Sequence, residues 1–182
     1  MLSISDVSRL FEKWGNDSYS ETVSQIAHAE QCASLARAAG ADDDVVVAAL
    51  LHDIGHLLVL EQTGVLAQLD SDDEHEATGA RCVAQLFGPR VAAPIALHVA
   101  AKRYLCAVEA EYFDILSPAS VASLRMQGGP MSSDETARFE RLPHFAAAVA
   151  LRRWDDEAKV HDLEVVPFSS YAPMMERLAT VG

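Results

Sequence analysis

The sequence predicts an all-α fold, a single helical bundle, and three observations predict it. Apolar residues recur at steps of three and four, as in Val7, Leu10, Phe11 and Trp14, which is the period of a helix that buries one face. Alanine is abundant and β-branched runs are few; the longest, Val45-Val46-Val47, leads straight into an alanine–leucine pattern. Glycines such as Gly15, Gly40, Gly88 and Gly128 stand where the periodic segments stop. With 182 residues, half of them hydrophobic, the chain is long enough for one domain with a proper core. No repeat or low-complexity tract divides it, so residues 1–182 are read as one domain with its core over about 19–160, the N-terminal helix and C-terminal tail packed on it.

The elements follow in order. A short amphipathic helix carries Val7 to Trp14, and a polar link leads to a second helix over about 22–39, on which His28, Cys32 and Leu35 share a face. Asp42-Asp43-Asp44 supplies a cap and negative charge for a third helix, which runs through Leu50-Leu51 to His52-Asp53 and ends or bends at Gly55. A looser stretch over about 61–73 precedes a helix carrying His75, Gly79, Cys82 and Leu86. Its acidic neighbours Asp70, Asp72, Asp73 and Glu74 read as charge at a helix start. The next helix spans about 90–108, bent or interrupted near Pro94. Ser117-Pro118 opens another, ended by Gly128-Gly129, and Ser132 with Glu135 forms a capping box for one more. A long helix over about 145–160 carries Arg152 and Asp155 on one face, and the tail from Val165 is expected to wrap the surface before a last helical turn or two.

A formal net charge of −13 argues against a nucleic-acid partner, since a polyanion is repelled at long range. No apolar stretch reads as long enough to cross a bilayer and no signal pattern opens the chain, so no membrane partner and a cytoplasmic location are expected, with a homodimer as the candidate assembly. Cys32, Cys82 and Cys106 have no CxxC spacing and read as small core residues.

The chemistry-bearing feature is His52-Asp53, with His28, His75 and His98 disposed around it at intervals of about two dozen residues and Asp155 further on. Each lies on a segment that reads as helix, and helical bundles build metal sites from side chains on facing helices. Six nitrogen and oxygen donors without a thiolate suit iron or manganese and disfavour a closed structural zinc site. They divide over two ions if Asp53 bridges, with His28, His52 and Asp155 on one and His75 and His98 on the other, which keeps open positions for substrate. His144 and His161 lack matching spacing and read as surface residues, and Asp156 is expected to pair with a cation such as Lys159.

The ordered pattern H…HD…H…H…D runs through four longer stretches. These are Tyr19-Ser-Glu-Thr-Val-Ser-Gln-Ile-Ala-His28, Leu50-Leu-His-Asp-Ile-Gly-His56, Leu116-Ser-Pro-Ala-Ser-Val-Ala-Ser-Leu124 with Gln127-Gly-Gly129, and Leu151-Arg-Arg-Trp-Asp-Asp-Glu-Ala-Lys159. Together they resemble the HD-domain superfamily, and within it the mixed-valent di-iron oxygenases of the PhnZ/TmpB organophosphonate-degrading family. The resemblance implies two Fe ions as an Fe(II)/Fe(III) pair, held by the six residues already chosen, and O2 as co-substrate. It implies cleavage of the C–P bond of a 1-hydroxy-2-(amino or N-methylated ammonio)ethylphosphonate. The products would be phosphate and glycine or its N-methylated form, such as glycine betaine. The family's phosphonate contacts fall on Lys102, Ser120 and Arg152, with His56 close to the substrate, so that Asp53, His56 and Lys102 form the catalytic set. The amine-side gate falls on Tyr19 and Glu21, which stand two apart where the family spaces them three apart.

The residues agree on their own terms. Lys102 lies one turn after His98 and Arg152 nearly one turn before Asp155, giving a local cationic wall inside an acidic protein. Arginine can hold two phosphonate oxygens through its planar fork, and lysine acts as a point charge. Ser120, Ser123 and Gln127 share a helix face and can donate hydrogen bonds. The rival reading is an HD-type metal-dependent phosphohydrolase, which would use the same donors; a non-catalytic HD signalling module is disfavoured because all six positions are filled.

Overall fold

The computed structural model describes residues 2–17, 23–64 and 75–179. Helix α1 (Ile4–Trp14) starts with a capping box, in which Ser3 Oγ accepts from the Asp6 N–H and the Asp6 carboxylate accepts from the Ser3 N–H, and buries Val7, Leu10 and Phe11. Helix α2 (Gln25–Ala38) begins later than the sequence suggests, because Ser24 holds extended backbone and caps the Ala27 N–H with its side chain. Where one helix was expected around His52-Asp53 there are two, α3 (Asp43–Leu51) and α4 (Ile54–Thr63). Gly55 terminates nothing; it lies in the first turn of α4, and Gly64, in the left-handed region at φ 67°, closes that helix.

Helix α5 (His75–Phe87) is followed at once by α6 (Pro89–Val108), which runs unbroken through Pro94. A 3-10 turn (Tyr112–Ile115) leads to α7 (Pro118–Met126), α8 (Ser133–Phe139) and α9 (Phe145–Glu157). Two of the expected caps are present: Ser117 Oγ accepts from the Ser120 N–H, and Ser132 with Glu135 makes a full capping box, whereas Asp42 stands before α3 without a side-chain cap hydrogen bond. A second 3-10 turn (Phe168–Tyr171) and α10 (Ala172–Leu178) complete an all-helical set with no strand among the described residues.

Helix α6 is the axis of the bundle, packed on α5, α9 and α3, while α2 lies against α3 and α9. Val47, Leu50, Leu51, Ile54, Leu57, Val83, Val91, Ile95 and Leu151 are fully buried between these helices. Two expectations are corrected here. The tail does more than wrap the surface: Phe168, Tyr171 and Met175 are buried in the main core, and the Phe168 ring stacks on Phe11 at 4.4 Å. Helix α6, at 20 residues, is also long and apolar enough by composition to cross a bilayer, contrary to the sequence reading. Its apolar length has another use, since the helix is surrounded by neighbours and turns His98 and Lys102, each 2% exposed, into the protein.

Candidate metal centre

Local backbone aims the histidines. His52 ends α3, and its Nδ1 bonds the Ala49 carbonyl at 2.9 Å. His98 does the same on α6 with the Ile95 carbonyl at 2.7 Å, and His28 on α2 with the Ala158 carbonyl at 2.8 Å. A carbonyl only accepts, so each Nδ1 must carry the proton and each Nε2 presents a lone pair. Those lone pairs converge: the Nε2 atoms of His28 and His52 face each other at 3.2 Å, and Asp155 Oδ1 lies 3.3 Å from the first.

Asp53 stands at the junction of α3 and α4, so its carboxylate leaves the helix line and enters the space between two donor groups. Its Oδ2 is 3.4 Å from His52 Nε2 and 3.8 Å from His28 Nε2, while Oδ1 is 3.7 Å from His75 Nε2 and 3.8 Å from His98 Nε2. Each oxygen thus faces a different pair of imidazoles, as a bridging carboxylate requires. With metal–nitrogen and metal–oxygen bonds of about 2.0–2.2 Å, donors 3–4 Å apart are what one ion spans. His28, His52 and Asp155 form one compact triad; Asp53, His75 and His56 form a second, with the His56 ring stacked on His75 at 4.0 Å. His56, read from the sequence as a substrate neighbour, is therefore placed equally well to donate.

The close approach of α5 to the His-Asp junction depends on Gly55. A Cβ there would stand 2.0 Å from the His75 carbonyl oxygen, part of the backbone that opens α5. Gly55→Ala is expected to destabilise the protein by about 1–3 kcal/mol, the usual range for overpacking, and to push His75 away from Asp53. Thermal unfolding together with metal titration checks this; an unchanged affinity for the second metal ion would show that α5 shifts without moving His75.

The charges favour a cation. Burial opposes a charge on His52, but Asp53 and Cys32 together raise its pKa well above the ordinary value, so an ion at its Nε2 would take the place of a proton. Burial also works against ionised Asp53 and Asp155, yet His52 holds the first and Arg152 the second well below the carboxylate range. Burial, with His52 and His75 beside it, pulls His98 down to about 3, so its Nε2 stays a free base. The donor set fits a pair of N/O-liganded ions, and the structure offers no cysteine to either triad.

Against Asp155 stands the cationic wall. Arg152 Nη1 donates to Asp155 Oδ2 at 2.8 Å, and its Nη2 reaches Ser120 Oγ at 3.3 Å. Lys102 Nζ donates to Ser123 Oγ at 2.7 Å. Burial and the neighbouring Arg152 lower the Lys102 pKa to about 8. Gln127 ends α7 with its Oε1 buried and without a hydrogen-bond partner among the described residues. Tyr19 and Glu21, the amine-side pair of the sequence reading, lie outside the described residues, as do Asp70, Asp72, Asp73 and Glu74. His161 is exposed, as expected, and His144 is half-buried at the start of α9. Asp156, expected to pair with a neighbouring cation, is bound by Arg152 on its own helix and by the Tyr112 hydroxyl. Tyr112 was invisible to the sequence reading because it lies in a 3-10 turn with no periodic partner.

Two carboxylates, four convergent imidazoles and a helical bundle define the class, and the comparisons agree. The HD domain description matches residues 26–116, and the chain belongs to that family. The match takes in His28, His52, Asp53, His75 and His98 but stops short of Arg152 and Asp155. The rest of the chain is covered by closer relatives. Hydroxymethylphosphonate dioxygenase of Gimesia maris is 45% identical over 173 residues, 95% of this chain and 86% of that protein. The glycine-betaine-forming 1-hydroxy-2-(trimethylamino)ethylphosphonate dioxygenase of Leisingera caerulea is 38% identical over 174 residues, 94% of this chain and 88% of that protein.

Proposed function

We propose that this protein is a di-iron oxygenase that cleaves the C–P bond of a 1-hydroxyphosphonate with O2, releasing phosphate and a carboxylate. One observation carries the reading: a two-ion donor set lies directly against a buried Lys102–Ser123 and Arg152–Ser120 wall, in a chain similar over most of its length to two phosphonate dioxygenases. The substrates in those two names share HO–C–PO3 and differ in what else C1 carries, hydrogen in one and a trimethylaminomethyl group in the other. The shared unit is what a metal pair and a cationic wall can hold. With the second substituent, the product is glycine betaine, or glycine from the free amine; with hydrogen it is formate.

In this reading His28, His52 and Asp155 would hold one iron, His75 and His98 would hold the other, and Asp53 would serve both. A bound iron pair would supply the dioxygen chemistry, and the four electrons that reduce O2 come from the C1–H and C–P bonds of the substrate. The chain's own residues do the rest. Lys102 and Arg152 bind the phosphonate oxygens and fix C1 toward the metals, and a charge-assisted bond to a desolvated anion is a strong one. As the C–P bond breaks, the same two cations stabilise the charge that leaves on phosphate. Ser120 and Gln127 complete the anion contacts, and Glu21 with Tyr19 meets an ammonium end where the substrate has one.

Dioxygen dependence separates this from the phosphohydrolase reading. Iron-loaded protein should release phosphate from hydroxymethylphosphonate or from the trimethylamino substrate in air, with formate or glycine betaine in equal amount, and release none under strict anaerobiosis. Phosphate release at an unchanged anaerobic rate would move the protein to the HD-type phosphohydrolases. The ratio of the two rates decides which C1 substituent the pocket prefers.

A further inference from the structure

Asp156 and Tyr112 are buried beside the site and belong neither to the metal set nor to the substrate contacts. The Asp156 carboxylate is gripped by the Nε–Nη2 edge of Arg152, with Nε to Oδ2 at 3.1 Å and Nη2 on Oδ1. The Tyr112 hydroxyl donates to the same Oδ2, and Arg152 Nε also lies 3.2 Å from that hydroxyl. The remaining edge of the guanidinium points the other way, Nη1 to Asp155 and Nη2 to Ser120. We propose that Tyr112 and Asp156 are positioning residues: they lock the back edge of Arg152 so that its front edge is presented to Asp155, Ser120 and the bound phosphonate. The proposal rests on the phosphonate reading above only for what the front edge binds.

Two physical points support it. A guanidinium has five N–H groups in a rigid fork, so holding the Nε–Nη2 edge fixes the direction of the others. Asp156 also supplies Arg152 with its own counter-charge. Without it, Asp155, whose Oδ2 is held by Arg152 while its Oδ1 faces His28, would be the one carboxylate bonded to the arginine among the described residues. The lock is anchored from outside α9, because the Tyr112 ring is 3% exposed and packs with Leu105, Leu116 and Leu124 in a separate small core. A turn between α6 and α7 therefore sets the angle of a side chain on α9.

The test is a double-mutant cycle on iron-loaded full-length protein with Asp156→Asn, Tyr112→Phe and both. Asp156→Asn is expected to lower kcat/KM per bound iron by about 10- to 100-fold, the cost of losing a charged hydrogen-bond partner. Tyr112→Phe keeps the ring and should lose about 3- to 10-fold, as for a neutral bond. Because Tyr112 and Asp156 hold the same edge of Arg152, the double variant should lose less than the product of the two single losses, whereas independent losses would multiply. A second readout needs no turnover and uses protein loaded with diamagnetic zinc: the NMR resonance of the Arg152 Nε–H is expected to be sharp and protected in the parent, to broaden in Asp156→Asn and to shift in Tyr112→Phe. Multiplying losses, or an Nε–H that neither variant disturbs, overturns the proposal, as does activity per bound iron that stays at the parent level. If the parent cleaves no phosphonate, the functional reading falls and the Nε–H cycle still decides the positioning. Should Asp156→Asn not fold, Tyr112→Phe carries the same two readouts.

Discussion

Asp53→Ala is expected to empty both metal positions at once and to leave activity two to three orders of magnitude below the parent. The reason is the placement of one side chain. Asp53 Oδ2 faces His28 and His52, and Oδ1 faces His75 and His98, so a single carboxylate is shared by both donor groups. Removing one member of a buried charged set costs about 3–5 kcal/mol, and each 1.4 kcal/mol is about a factor of ten. His75→Ala is the contrast: it strips a donor from one group only and should leave the His28–His52–Asp155 ion in place. Elemental analysis of both variants, with circular dichroism to show that each keeps its helices, checks the result. An Asp53→Ala protein that retains one tightly bound ion and full activity would sink the bridging assignment.

Lys102→Met should lower kcat/KM about 10- to 100-fold, in line with about 1.5–3 kcal/mol for a charged hydrogen bond, while metal content stays near that of the parent. Methionine fills the same buried volume without the charge, so the loss reports the anion contact. The pH profile gives the sign. Burial and Arg152 lower the Lys102 pKa to about 8, against the opposing pull of Asp155 and Asp156. Only the protonated amine holds a phosphonate, so kcat/KM, which reports the free enzyme, should be full well below that value and fall as pH rises through it. Lys102→Arg keeps its charge and should remove the alkaline limb. Stability runs the other way. The folded pKa lies below the unfolded value of 10.5, so the folded state binds fewer protons between the two, and raising pH through that window stabilises the fold. If Lys102→Met loses its metals along with its activity, the lysine supports the centre and does not bind substrate.

Much of the helix pattern was legible because its signals are local. Ser3, Ser117 and Ser132 cap the helices they precede, and Gly88-Pro89 separates two helices as expected. The reading failed where a local signal had a distant cause. Gly55 resembles a helix stop, but it is glycine because the His75 backbone passes within 2.0 Å of where a Cβ would be. Its misreading hid α4 altogether. Phe168, Tyr171 and Met175 stand at i, i+3 and i+7, a helical spacing set among Pro167 and Pro173, and packing against α1 and α3 makes them core.

The sequence by itself determined that this is a helical protein of the HD-domain family. It also singled out histidines and aspartates that the structure gathers around Asp53, because helix periodicity and the order of donor residues are one-dimensional facts. Only the tertiary structure decided which atoms meet. It turns the two oxygens of Asp53 to opposite groups, brings His56 onto His75, and joins Asp156 to Arg152 and Tyr112. Hydrogen bonds and metal bonds act over about 2–4 Å and depend on direction. Residues far apart in the chain meet at that range only after α3, α5, α6 and α9 have packed, so spacing along the chain cannot say which atom faces which.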